Sequence, residues 1–557
     1  MRKLSICFQI LLLLISALSA KTNKATFRYF EYRGNDACFN QKINPETQFR
    51  NPILPGFYPD PSICRRGDDY FLVNSTFSFF PGIPLFHSKD LVHWKQIGHV
   101  LDRPSQLNVD GLGLSEGVFA PAITYTEKTK TFYVINTIVR GMENFIVKTT
   151  DPFKGWSDPI ALPEVQGIDP SVFIDDDGKA YVVNSDLPLE KPQWRGHRAI
   201  KLQEFDQQND KMVGNRFVLV DGGTDTIKHP KYIEGPHLYK VNGFYYLMAA
   251  EGGTSEGHTE VIFRSKNLKG PYLPWDKNPI LTQSGLPTDR KNKVTSTGHA
   301  DLVEDGHGNW YAVFLGCRPY QAEFYNTGRE TFLLPVNWQD GFPVILDKGK
   351  EVPAIVELKS KVAAGNILSG NFTWLDEFDK PRLDMNWNMV RTPRDKWWNI
   401  ANGKLELDVL NRSLSQLVNP AFLGHRQQHL NFEASTALNF NPTADNELAG
   451  LAYFQNDRNY FVMGKTMKNG KTLVVLQDII DGKTTIVAQK ELDQHCVNKE
   501  LVFKLVVKGA EADFFFTIKG EKAVLLADKV DVTGLSTKKA GGFVGSHIGP
   551  YASSLGY

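Results

Sequence analysis

The sequence predicts an all-β chain: a five-bladed β-propeller followed by a jelly-roll-like β-sandwich. Three observations carry this. One hairpin recurs five times between residues 51 and 350. The recurrences fall at a period of roughly 50–65 residues, the spacing of a closed repeat architecture. Long helical patterns are absent, and from residue 371 onward short alternating stretches such as Leu405-Glu406-Leu407-Asp408-Val409 read as the strands of a sandwich.

Taken in order, the chain starts with a secretory pattern over residues 1–20. Arg2 and Lys3 are followed by an apolar centre and by Ala17-Leu18-Ser19-Ala20 as a cleavage site. The apolar run is too short for a membrane span, so the mature protein is expected to be exported, periplasmic or secreted. Residues 21–50 hold an isolated alternating strand, Ala25 to Tyr32, and a linker. A lone strand is not stable, so this one is expected to complete the C-terminal sandwich. The propeller follows at 51–350, a connector at 351–370 and the sandwich at 371–557.

Within the propeller the hairpins open at Asp60-Pro61-Ser62, Phe119-Ala120-Pro121, Asp169-Pro170-Ser171, Glu234-Gly235-Pro236 and His299-Ala300-Asp301. In a propeller the first strand of each blade lines the axis. Asp60, Phe119, Asp169, Glu234 and His299 should therefore form a ring at one mouth.

A formal net charge of +1 gives no electrostatic case for nucleic acid or an anionic membrane. Aromatic residues make up 12%, which suits core packing and, second, sugar stacking. After the leader, Cys38, Cys64, Cys317 and Cys496 show no metal spacing and read as buried thiols; a Cys38–Cys64 disulfide is the other reading. Three acids at one mouth are costly to bury, and cleavage of a glycosidic bond uses such a set. One carboxylic acid protonates the leaving oxygen, one carboxylate activates water, and a third raises the acid's pKa by like-charge repulsion. Asp175, Asp176 and Asp177, by contrast, form a solvated hairpin tip.

The strings NPILPGFYPDPSICRRGDDYFLVNSTFSFFPGIPLFHSKDLVHW, GIDPSVFIDDDGKAYVV, IEGPHLYK, TGHADLVEDGHGNWYAVFLGCRPY and GRETFLLPVNWQDGFPVI resemble glycoside hydrolase family 43. WLDEFDKPRLDMNWNMVRTP and GGFVGSHIGPYA extend the resemblance to its two-domain β-xylosidase/α-L-arabinofuranosidase branch. The resemblance implies an inverting exo-glycosidase that needs no cofactor. Asp60 would be the base, Glu234 the acid and Asp169 the pKa modulator, with base and acid about 6.5–9.5 Å apart. It implies that Arg318 hydrogen-bonds the terminal sugar, that Thr254 lines the pocket, and that His299 holds a channel water or a calcium ion. Phe77 and Phe80 fall at the rim or in the core. Two positions depart from the pattern: Phe119 stands where Trp is usual, and His547 stands where a pocket-closing Phe is usual. The expected substrate is a plant cell-wall oligosaccharide that yields arabinofuranose or xylose. The other readings are a strict β-xylosidase, a non-catalytic carbohydrate-binding propeller and a retaining fructan enzyme.

Overall fold

The computed structural model describes residues 23–556 other than 360, 364 and 366. The leader expected at 1–20 lies outside the described residues. Five antiparallel sheets follow one another between residues 62 and 344. Their first strands are Ser62–Arg66, Ala122–Thr126, Ile168–Ile174, Glu234–Val241 and Thr295–Glu304. Four of the five turns between first and second strands carry Gly, such as Asp175–Gly178, where Gly178 takes the left-handed backbone that tight turns require; the second blade turns on Glu127-Lys128-Thr129-Lys130 instead. The ring closes because Leu54 bridges Thr331 in the last blade, with Ile53 N donating to Thr331 O at 2.9 Å.

Two larger sheets build the second domain. One runs in the order Trp398–Ile400, Leu405–Asp408, Lys24–Gly34, Asn431–Asn439, Leu501–Lys508, Glu511–Ile518, Val524–Asp531. The strand Lys24–Gly34 thus lies inside it, between strands more than 370 residues downstream. Its alternation explains the placement: Ala25, Phe27, Phe30 and Tyr32 are buried in the sandwich core, and a bulge between Phe27 and Phe30 resets the facing side. The second sheet is centred on Leu448–Asn456 and His547–Ser553 and ends on Phe79–Phe80, a two-residue strand from the propeller that pairs with Trp387–Val390. Phe80 is therefore domain-seam structure. All four described cysteines are free.

Candidate active site

Four of the five blade entries share one backbone device. Asp60, Asp169 and His299 each have φ near +50°, and Gly235 has φ +57°. For residues with a side chain this left-handed geometry costs about 1–3 kcal/mol and persists only where the surroundings impose it. Proline supplies part of the frame, following Asp60, Asp169 and Gly235. The shared register corrects the ring expected from sequence. The position equivalent to Asp60 in the fourth blade is Gly235, not Glu234. A Cβ on Gly235 would stand 2.8 Å from the His299 ring, so only glycine fits there. Glu234 comes one residue earlier and is only half-buried, whereas Asp60 and Asp169 are buried. The third acid is thus set off from the other two and reaches the mouth.

These groups line one cavity of about 350 Å³, together with Phe77, Phe119, Thr254, Arg198, Tyr232, Arg329 and Phe543. That volume sits at the small end of ligand pockets, which run to about 1,000 Å³. Asn74 pins the Asp60 loop by donating to the carbonyls of Tyr58 and Pro59. Asp60 accepts from Ser75 Oγ at 2.6 Å and from both terminal nitrogens of Arg329, at 2.6 and 3.3 Å. His299 Nδ1 stands 3.7 Å from the same carboxylate. Asp169 accepts from Gly235 N at 3.3 Å. The Glu234 carboxyl has no hydrogen-bond partner among the described residues.

The electrostatics separate the three acids. Burial raises Glu234 most, and the Asp169 and Asp60 charges add to it, bringing it up to about 8. Asp169 is pushed up to about 7 by burial and then by Asp60. Burial also opposes ionisation of Asp60, but the Arg329 guanidinium above all, then His299 and the Ser75 hydroxyl, holds it below the usual carboxylate range. At neutral pH one carboxylate is ionised at the bottom of the cavity and one carboxylic acid is protonated at its mouth. This is the division of labour that general base and general acid require.

Two expected positions are corrected. Arg318 lies outside the cavity. It pairs with Glu330 at 2.6 and 2.8 Å and with Asp36 at 3.1 Å, and donates to Gln428 O. Asp36 in turn accepts from the backbone of Leu430 and Asn431, so Arg318 ties the propeller to the sandwich. The buried arginine in the cavity is Arg329, from the GRET string. His547 is also outside. It is fully buried, stacks on Phe79 at 4.1 Å, and has Nδ1 3.1 Å from Gly545 O. The sandwich closes the pocket with Phe543 instead. That ring meets Phe77 at 5.8 Å and Phe119 at 6.0 Å, and its backbone N–H donates to Ser115 Oγ. Replacing Arg318 by Ala should leave Glu330 and Asp36 as buried unpaired charges. A loss of about 3–5 kcal/mol is expected, read as a lower urea midpoint, with KM of the remaining folded enzyme changed far less than for a pocket residue.

Beneath the cavity a chamber of about 10 Å³ is lined by Asp60, Asp169, His237 and His299, among others. That is room for about one water. It does not fit the calcium ion expected beside His299, which takes about 6–8 oxygen ligands: its side-chain donors are the Asp60 carboxylate, engaged by Arg329, the Asp169 carboxylate, the Ser62 hydroxyl, which donates to Asp301, and two imidazoles.

Residues 49–343 match the family model Glycosyl hydrolases family 43, and residues 375–557 match that of the Beta xylosidase C-terminal Concanavalin A-like domain. A xylosidase/arabinosidase of Butyrivibrio fibrisolvens is 39% identical over 515 residues, covering 91% of this chain and 96% of that one. A non-reducing end α-L-arabinofuranosidase of Bacteroides ovatus is 36% identical, covering 92% of each. Among solved structures, a GH43_12 protein from a capybara gut metagenome superposes with a TM-score of 0.89 at 41% identity, covering 95% of this chain and 99% of that one.

Proposed function

The chain belongs to glycosyl hydrolase family 43, a family of inverting glycosidases, and from that premise we propose that it removes terminal α-L-arabinofuranose, or β-D-xylose, from plant cell-wall oligosaccharides such as arabinoxylan or xyloglucan fragments. The observation that carries the reading is the split between ionised Asp60 and protonated Glu234 in a small cavity closed at one side by Phe543.

Asp60 takes a proton from a water as its oxygen bonds to the anomeric carbon. The bond to the leaving oxygen breaks with its electron pair, and Glu234 delivers its proton to that oxygen. Asp169 raises the Glu234 pKa and orients the sugar. Arg329 keeps Asp60 ionised; its buried Nε, which has no partner among the described residues, is a donor for a sugar hydroxyl. No cofactor enters these steps. Phe77, Phe119 and Phe543 form an aromatic wall, with Arg329 5.6–5.7 Å from two of the rings. A ring at Phe119 smaller than indole leaves space that favours the furanoside over the pyranoside. The secretory pattern at residues 1–20 supports action outside the cytoplasm.

The test is a side-by-side assay on 4-nitrophenyl α-L-arabinofuranoside and β-D-xyloside, with proton NMR of the first-formed sugar. Faster arabinofuranoside cleavage and the inverted anomer first are expected. A retained anomer, or no cleavage of either glycoside, would overturn the reading; a faster xyloside would move the enzyme to β-xylosidase.

A further inference from the structure

Arg198 and Tyr232 have no part in the chemistry just described. We propose that they form the site for the sugar on the leaving side of the scissile bond, a pyranose held by its hydroxyls on Arg198 and by its C–H face on the Tyr232 ring. This rests on the glycosidase reading above.

Depth orders the cavity. Asp60, Asp169, His299 and Arg329 are 4–7% exposed, while Glu234, Tyr232 and Arg198 are half-buried and stand nearer the mouth. In a cavity closed at the base the sugar being removed occupies the bottom, and the rest of the substrate extends toward solvent. Glu234 must stand beside the leaving oxygen, so groups flanking it at the mouth meet the leaving sugar. Tyr232 is two residues before Glu234 in the chain. The Arg198 charge opposes the upward shift of both Glu234 and Asp169, which places its guanidinium within electrostatic reach of both.

Both side chains are free to bind. The other cavity arginine, Arg329, gives both terminal nitrogens to Asp60 and keeps only its Nε for a ligand. Among the described residues Arg198 makes no side-chain hydrogen bond or ion pair, and neither does the Tyr232 hydroxyl. A guanidinium brings five N–H donors in a fixed fork, and leaving it unpaired in a lined cavity makes sense where a ligand supplies the acceptors.

The wall is also prebuilt. Tyr232 has φ +52°, strained for an aromatic residue. Its N–H donates to Gly196 O at 2.8 Å. Its ring packs on two glycines: a Cβ on Gly196 would lie 3.3 Å from the ring, and one on Gly253 3.1 Å from it. Trp194 Nε1 donates to Pro230 O at 2.7 Å, and Gly222 N donates to Arg198 O at 2.9 Å, joining the two loops that carry Arg198 and Tyr232. A planar ring and a donor fork on rigid backbone match a pyranose better than a simple alcohol.

The experiment compares wild type, Arg198→Met and Arg198→Lys on an arabinosyl-xylose or xylosyl-xylose disaccharide and on the matching 4-nitrophenyl glycoside. For Arg198→Met the ratio of disaccharide to aryl kcat/KM should fall at least tenfold, mainly through KM. Arg198→Lys, which keeps the charge without the fork, should recover part of that loss. Removing the cation should also move the alkaline limb of the Arg198→Met profile to higher pH, with an unchanged melting temperature. Equal losses on both substrates, or no loss on either, in both variants would overturn the assignment. If wild type cleaves neither aryl glycoside, the glycosidase reading fails first and this assignment falls with it.

Discussion

Replacing Glu234 by Gln should lower kcat/KM on an unactivated disaccharide by about 10²–10⁴, the usual contribution of a general acid. The loss on 4-nitrophenyl glycosides should be much smaller, because nitrophenolate leaves without a proton. Wild-type activity should fall as pH rises through about 8, where Glu234 ionises, and the variant should lack that limb on the aryl substrate. The same substitution should stabilise the fold. Glu234 titrates near about 4.3 in an unfolded chain and near about 8 in the folded one. Between these values the folded state holds a proton that the unfolded state has released, so wild-type stability declines as pH rises through the window. Gln carries no such proton. The variant's gain in melting temperature should be larger at pH 8 than at pH 5; a gain that shrinks with pH, or full activity on the disaccharide, would sink the assignment.

Asp60→Asn should do the reverse to stability while also slowing turnover. Its folded pKa lies below the unfolded value, first among the favourable causes because of Arg329. The stability it contributes is present above about pH 3.9 and is lost as pH falls through the folded value. With Asn there, Arg329 becomes a buried cation without a carboxylate, and breaking such a pair costs about 3–5 kcal/mol. The general-base contribution is again about 10²–10⁴ in rate, on both substrates this time, because water activation does not depend on the leaving group. Two substitutions in one cavity that shift the urea midpoint in opposite directions at pH 8 would be hard to explain by local unfolding. Equal midpoints would contradict the charge assignment.

The repeat, the five blades and the three acids were legible because each hairpin carries its own entry motif. The register was legible only in part. Lining up Glu234 with Asp60 and Asp169 follows the carboxylates, whereas the backbone follows the prolines and puts Gly235 at the equivalent place. Arg318 is expected in the pocket from the family resemblance of its string, FLGCRPY. Arg329 lies just before the next blade strand, Glu330–Gln339, and no signal in the sequence separates the two arginines. His547 and Phe543 are four residues apart in a Gly-rich stretch whose path no periodicity reveals. Arg198 and Tyr232 come from loops, where the sequence shows turn residues but not the contacts that fix them.

The strand Lys24–Gly34 pairs with Asn431–Asn439 across the whole propeller, and this bears on biosynthesis. At a synthesis rate of about 5–20 residues per second, an early strand waits roughly 20–80 s for a partner about 400 residues behind it. Meanwhile the propeller, whose blades pair locally, can close. The waiting segment is rich in aromatic residues and has both edges open, the condition under which strands join the wrong chain. The sandwich is therefore the last part to mature, and a clone starting at residue 371 would lack a strand from the middle of its sheet. Expression of that domain alone should succeed only when residues 23–36 are supplied with it, in cis through a linker or as a separate peptide.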